Sequence, residues 1–122
     1  MTTRSAAPMR GLLHIQQQVE GDDGYGNVTV AWATIATVAA GLAPMRGGEQ
    51  IVAARMAGRQ PYIVTIRSSE QTRQITPAWR FVDARAGNRP DGEPRRVLDI
   101  KAISDPDGKN AWLEVLCEEV VS

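Results

Sequence analysis

The feature that most limits what this chain can become is a period-two alternation of apolar and polar residues, cut at short intervals by turn formers. From Leu12 to Glu20, Leu13, Ile15, Gln17 and Val19 share one face of a strand, and His14, Gln16, Gln18 and Glu20 share the other. Val28 to Trp32 alternates again, with Val28, Val30 and Trp32 on one side, and Ile35 to Leu42 reads as the next strand. Tyr62, Val64 and Ile66 alternate with Ile63, Thr65 and Arg67. Further strands are expected at Trp79–Arg85, Val97–Ser104 and Ala111–Val120, with Leu113, Val115 and Cys117 facing inward opposite Leu98, Ile100 and Ala102. Turn signals between them (Gly21–Asn27, Ile75–Pro77, residues 86–96 and Asp105–Gly108) recur roughly every eight to fifteen residues, the spacing of an antiparallel barrel or sandwich. Strands with one polar face are the antiparallel kind. The expected fold is mainly β: a small antiparallel β-barrel of about six or seven strands, with one short helix in a long inter-strand loop.

That helix lies in an excursion from Pro44 to Gln60. It opens with Pro44 and the pair Gly47-Gly48, runs through helix formers from Glu49 to Ala57, and stops at Gly58 and Pro61. A hairpin needs two to five linking residues, and this connection has roughly sixteen. Glu49 stands in the first turn and Arg55 and Arg59 lie towards the end, as the helix dipole favours. Ile51, Val52 and Met56 form a narrow apolar stripe of the kind that packs on a sheet, and Gly58 is placed as the C-terminal cap. A long loop with its own helix on a rigid sheet is a common seat of function. The plainer alternative is a helix that closes one end of a barrel.

Composition excludes several functions. The 122 residues carry 14 basic and 14 acidic side chains, a formal net charge of zero, without the basic excess of a dedicated nucleic-acid binder. Length suits one domain, here residues 12–122 after a flexible arm at 1–11. One cysteine, Cys117, forms no internal disulfide and no cysteine metal site. Residues 1–11 lack the apolar run of a signal peptide, and no stretch of ~18 apolar residues is present, so a soluble protein made in a cytoplasm is expected. No catalytic constellation appears: His14 is the lone histidine, Asp105-Pro106-Asp107-Gly108 lacks the other ligands of a calcium loop, and no phosphate loop or nucleophile elbow is present. No enzyme, no cofactor and no metal site is expected. Trp32, Trp79 and Trp112 could stack bases, as in single-strand-binding barrels, though Trp79 beside Phe81 reads first as core.

The order of these signals resembles the head–tail joining family of tailed bacteriophages, the head-completion or stopper proteins. The matching pieces are a first strand after a short basic lead (Arg10–Val19), Asp23-Gly24-Tyr25-Gly26 followed by Trp32, and Thr37-Val38-Ala39-Ala40 leading to Leu42, Ala43-Pro44-Met45 and Gly48-Glu49. Tyr62–Arg67, Ile75-Thr76-Pro77, Leu98-Asp99-Ile100, Ile103–Pro106 and Leu113–Glu118 follow in register. Two departures are Ala39, where the family often has Trp, and a longer, proline-rich loop at 86–96. The resemblance implies a homo-oligomeric ring, sixfold or twelvefold, in the virion neck, assembled in the host cytoplasm. Portal and adaptor proteins would lie above it, the tail terminator or tail tube below, and packaged double-stranded DNA in the channel, with no membrane involved. It implies that the excursion gates the channel, through Arg46, Gly47, Gly48, Glu49, Arg55, Gly58 and Arg59. Arg4, Arg10, Arg89, Arg95 and Arg96 are the interface candidates. A tail terminator or other neck ring of similar barrel type is the nearest alternative, and a single-strand-binding barrel the next.

Overall fold

In the computed structural model, the residues described are 9–22, 24–104 and 111–120. Among these residues are six strands: β1 (Gly11–Asp22), β2 (Val28–Pro44), β3 (Arg59–Arg67), β4 (Arg80–Asp83), β5 (Val97–Ser104) and β6 (Trp112–Val120). All neighbours are antiparallel, and the sheet closes in the order β1-β2-β3-β6-β5-β4. One helix, α1 (Glu49–Met56), lies between β2 and β3, and a 3-10 turn at Thr72–Gln74 lies between β3 and β4. Closure leaves one dry face. Leu13, Ile15, Val64, Ile66, Phe81, Leu98, Ile100, Val115 and Cys117 fill it, with Ala36, Val38, Leu42, Tyr62, Trp79 and Ile103 packed around them.

Four expectations change. Val28–Trp32 and Ile35–Leu42 are one strand, β2, because Ala33-Thr34 offers no turn chemistry and the chain runs straight through. A bulge absorbs the mismatch: Ile15 pairs with Ala36 and Gln16 with Thr34, so Ile35 is the extra residue. A second bulge lies between Ile100 and Ala102. It shifts the phase of β5, so Ile103 packs against the core and Ala102, expected inside, is exposed. The strand after the excursion begins at Arg59, ahead of Pro61, which pairs with Glu118 of β6. There the flanking strand β2 has already ended at Pro44, opposite Tyr62, so the proline stands where the ladder is no longer continued on both sides. The expected strand at Trp79–Arg85 contracts to β4, four residues long. The Asp105–Gly108 turn and most of the 1–11 arm lie outside the described residues.

The polar stretch Ser68–Gln74 holds an unexpected feature. Thr72 is buried, and its hydroxyl accepts from the Ser69 N–H at 2.7 Å and donates to the Arg67 carbonyl at 3.0 Å. The Thr72 N–H donates to Ser69 Oγ at 3.1 Å. This pins the chain as it leaves β3 and turns towards β4.

β1 and β2 outrun the barrel. β4 pairs with β1 only from Leu13 to Gln16, and β3 pairs with β2 only from Ala40 to Pro44. Beyond those points the two strands continue as a two-stranded ribbon, closed by the turn at Gly24 and Gly26, both at φ 85°.

Candidate functional site

The excursion between β2 and β3 is tied at its base and loose above it. The Met45 N–H donates to the Pro61 carbonyl at 2.9 Å. The Gln60 side-chain amide donates to the carbonyls of Met45 at 3.0 Å and Pro61 at 2.7 Å. These bonds close the neck of the loop whatever the helix above it does. Gly47 and Gly48 follow at φ 78° and 79°, a left-handed pair that side-chain-bearing residues rarely adopt. Gly48 caps α1 without any side-chain hydrogen bond. At the other end the Gly58 N–H donates to the Arg55 carbonyl at 3.0 Å, with Gly58 at φ 82°, as its cap position requires.

α1 buries none of its residues. The apolar stripe expected to pack on the sheet does so only in part: Ile51 is half-buried, whereas Val52 and Met56 are exposed, Met56 at 84%. An open cleft of about 590 Å³ separates Val52, Arg55 and Met56 of the helix from Gln60 and Tyr62 of β3. The helix is short and made mostly of alanine and polar residues, so too little apolar area exists to bury its whole stripe against β3. Arg46, Gly47, Gly48, Glu49 and Arg55 are all exposed on this projection. Arg59 is set apart from them. It is the first residue of β3 and its guanidinium reaches Glu118 of β6 at 3.5 Å, where Lys101 also approaches at 4.0 Å.

The expected interface arginines separate into different roles. Arg4 lies outside the described residues. Arg10 is exposed, and its carbonyl accepts from Arg85 Nη1 at 2.6 Å. Arg89 and Arg95 are exposed on the 86–96 loop, which is a miniature hairpin: the Arg89 N–H donates to the Glu93 carbonyl at 2.7 Å, and the Arg95 N–H to that of Gly87 at 3.1 Å. Arg96 turns inward. Its Nε donates to Glu119 Oε2 at 2.9 Å, its Nη1 to Asp83 Oδ2 at 3.3 Å, and its guanidinium lies over the Tyr62 ring at 5.2 Å. Burial works against the charge of Arg96, but the hydrogen bond and charge of Glu119, then Tyr62 and Asp83, hold its pKa above the ordinary value. Sequence reasoning missed this network. Its one signal was the adjacent pair Glu118-Glu119 in a strand that, Glu114 apart, is otherwise apolar, a pair that needs cations nearby.

The tryptophans have partners. Arg80 lies over the Trp32 ring at 4.2 Å while its Nε donates to Gln16 Oε1 at 2.8 Å, and Arg67 lies over Trp112 at 5.0 Å. Burial lowers the pKa of Arg80, with Glu93 and Asp99 opposing. Trp79 packs against the core. His14 Nδ1 shares a 2.7 Å hydrogen bond with Thr37 Oγ1. Among the described residues no group of three or more His, Cys, Asp or Glu is placed to hold a metal ion. No helix there is long and apolar enough to cross a membrane.

Comparison with known proteins bears on this arrangement. The model of the phage head completion protein family matches residues 4–120. The chain resembles one from the virion of a native gene transfer agent particle, with 21% identity, a TM-score of 0.58, and coverage of 91% of this chain and 94% of that one. It also resembles the solution structure of protein SF1141 from Shigella flexneri 2a, with 22% identity, a TM-score of 0.61, and coverage of 95% and 96%. At these identities the likeness is one of fold. No curated protein matches the chain.

Proposed function

The chain belongs to the phage head completion protein family, a family of structural virion proteins, and from that premise we propose that it is a ring subunit of the phage neck whose 44–60 excursion gates the DNA channel. The observation that carries the reading is α1, a helix without one fully buried residue, its Val52 and Met56 exposed, standing on a base closed by Met45, Gln60 and Pro61. A segment held out in this way is suited to meet something outside its protomer. With the excursion turned to the inner side of a ring of copies, the loops of all protomers converge on the axis. Arg46 and Arg55 there would hold DNA phosphates through sequence-independent, salt-sensitive contacts. Gly47, Gly48 and Gly58 give the helix two hinges, while the tied base keeps the barrel unaffected.

In this reading the portal or adaptor lies above the ring, the tail terminator or tail tube below, and assembly takes place in the host cytoplasm. Arg10, Arg89 and Arg95, all exposed, remain candidates for contacts with neighbours. The family is one of structural virion proteins and is not known as enzymatic, and membership in it favours the neck reading over a single-strand-binding barrel.

Deletion of residues 46–58 tests the gate. The variant is expected to fold, to enter particles, and to let packaged DNA escape. Particles that keep their DNA with the deletion in place would refute the assignment. Negative-stain images of the purified protein bound to filled heads, rather than to free tails, separate a head-closure ring from a tail terminator.

A further inference from the structure

The ribbon formed by the far halves of β1 and β2 has two open edges of opposite character. Along β2, no strand among the described residues pairs with the outer edge from Val28 to Ala39, since the pairing with β3 runs only from Ala40 to Pro44. This edge reads VTVAWATIATVA, without a charge, a proline or a glycine. Free β-edges are ordinarily blunted by just those residues, because their unpaired N–H and C=O groups recruit other strands. Val28 and Val30 are 70% and 59% exposed on it. The opposite edge is β1 from Gln17 to Asp22, which β4 leaves uncovered after Gln16. That edge carries exposed Glu20 and Asp22, which oppose its pairing with another copy of itself.

We propose that the uncharged β2 edge of one copy receives the β1 edge of a second copy of this chain, so that the ribbons join head to tail into a continuous antiparallel sheet. The geometry is self-consistent. If all ribbons point the same way along a common axis, each β2 lies antiparallel to the next β1, and no edge is left open once the ring closes. A two-fold pairing of β2 with β2 would leave both acidic β1 edges open. An isolated two-stranded ribbon is marginal in water, and a third and fourth strand stabilise it. The contact is made by backbone hydrogen bonds and small side chains, so it needs no net charge on the subunit. Closure into a ring rests on the neck reading above, whereas the edge pairing itself does not.

A photo-reactive amino acid at position 31, an exposed site on β2, tests the pairing in purified particles and in the concentrated purified chain. The expected product is a covalent homo-oligomer whose cross-linked peptide joins position 31 to residues 17–22 of another copy. Val28→Lys with Val30→Lys should lower its yield roughly tenfold or more by placing charge on the edge. Both sites are exposed, so the melting temperature should be unchanged. Products joining position 31 to the 28–39 edge of a second copy, to the chain's own residues 1–8 or to a different virion protein would overturn the proposal, as would no product in either setting. The neck reading is judged apart, by whether the wild-type chain enters particles at all.

Discussion

Arg96 Nε and Glu119 Oε2 meet at 2.9 Å across the junction of β5 and β6, and the same guanidinium reaches Asp83 of β4. One side chain immediately before β5 therefore ties that strand to both of its neighbours in the sheet, β4 and β6. Its carboxylate partners are 13% and 21% exposed, so removing it strands charges that water reaches poorly. Arg96→Ala should cost roughly 1.5–3 kcal/mol, the range of hydrogen bonds to charged groups. Arg96→Lys should recover only part, since an ammonium cannot bond both carboxylates in the fork geometry. Urea unfolding of the three proteins measures this. An unchanged midpoint for Arg96→Ala would show that the network is without energetic weight.

Thr72 offers an isosteric test. Thr72→Val keeps the shape but leaves the Ser69 N–H and the Arg67 carbonyl without the hydroxyl they share. A loss of about 1–3 kcal/mol is expected, read as a lower melting temperature with unchanged far-UV circular dichroism.

The excursion and the core should answer differently to the same truncation. Val52→Ala and Met56→Ala remove apolar groups that are already exposed, so stability should stay within about 0.5 kcal/mol of wild type. Leu98→Ala, at a fully buried site, should cost about 2–5 kcal/mol. Chemical denaturation compares them, and a large loss at Met56 would mean that α1 is seated on the barrel after all.

Cys117 sets an alkaline limit. Burial, aided by the charge of Asp99, pushes its thiol up to about 12 from 9.0. The folded state therefore holds the proton more tightly than the unfolded state does. The resulting stability is fully present below pH 9.0, and it declines as pH rises towards about 12. The slope attributable to this group is at most about 1.4 kcal/mol per pH unit. Other groups titrate in that window, so the measurement is the difference between wild type and Cys117→Ala from pH 8 to 11. The variant should lose stability less steeply, and parallel curves would sink the assignment. For the same reason Cys117 should resist thiol reagents until the protein unfolds.

The sequence by itself determined the antiparallel class, the limits of β5 at Val97–Ser104, and the long excursion with its glycine boundaries. Each of these is a local property: alternation, turn chemistry and connection length are written in neighbouring residues. Most of the core was legible for the same reason, from Leu13 and Ile15 through Val115 and Cys117. What only the tertiary structure decided depends on partners far along the chain. A bulge appears when two strands must keep register across a closed sheet, so the extra residue at Ile35 and the inward turn of Ile103 follow from pairing rather than from pattern. Arg96 read as one more surface arginine until the pairing of β5 with β4 and β6 brought Asp83 and Glu119 to it. The apolar stripe of α1 looked like a packing face throughout because periodicity reports which residues share a side and not how much of that side is covered, which here is Ile51 in part while Val52 and Met56 stay exposed. The two open edges of the β1–β2 ribbon were equally hidden, because strand length and strand coverage are set by where β3 and β4 happen to end.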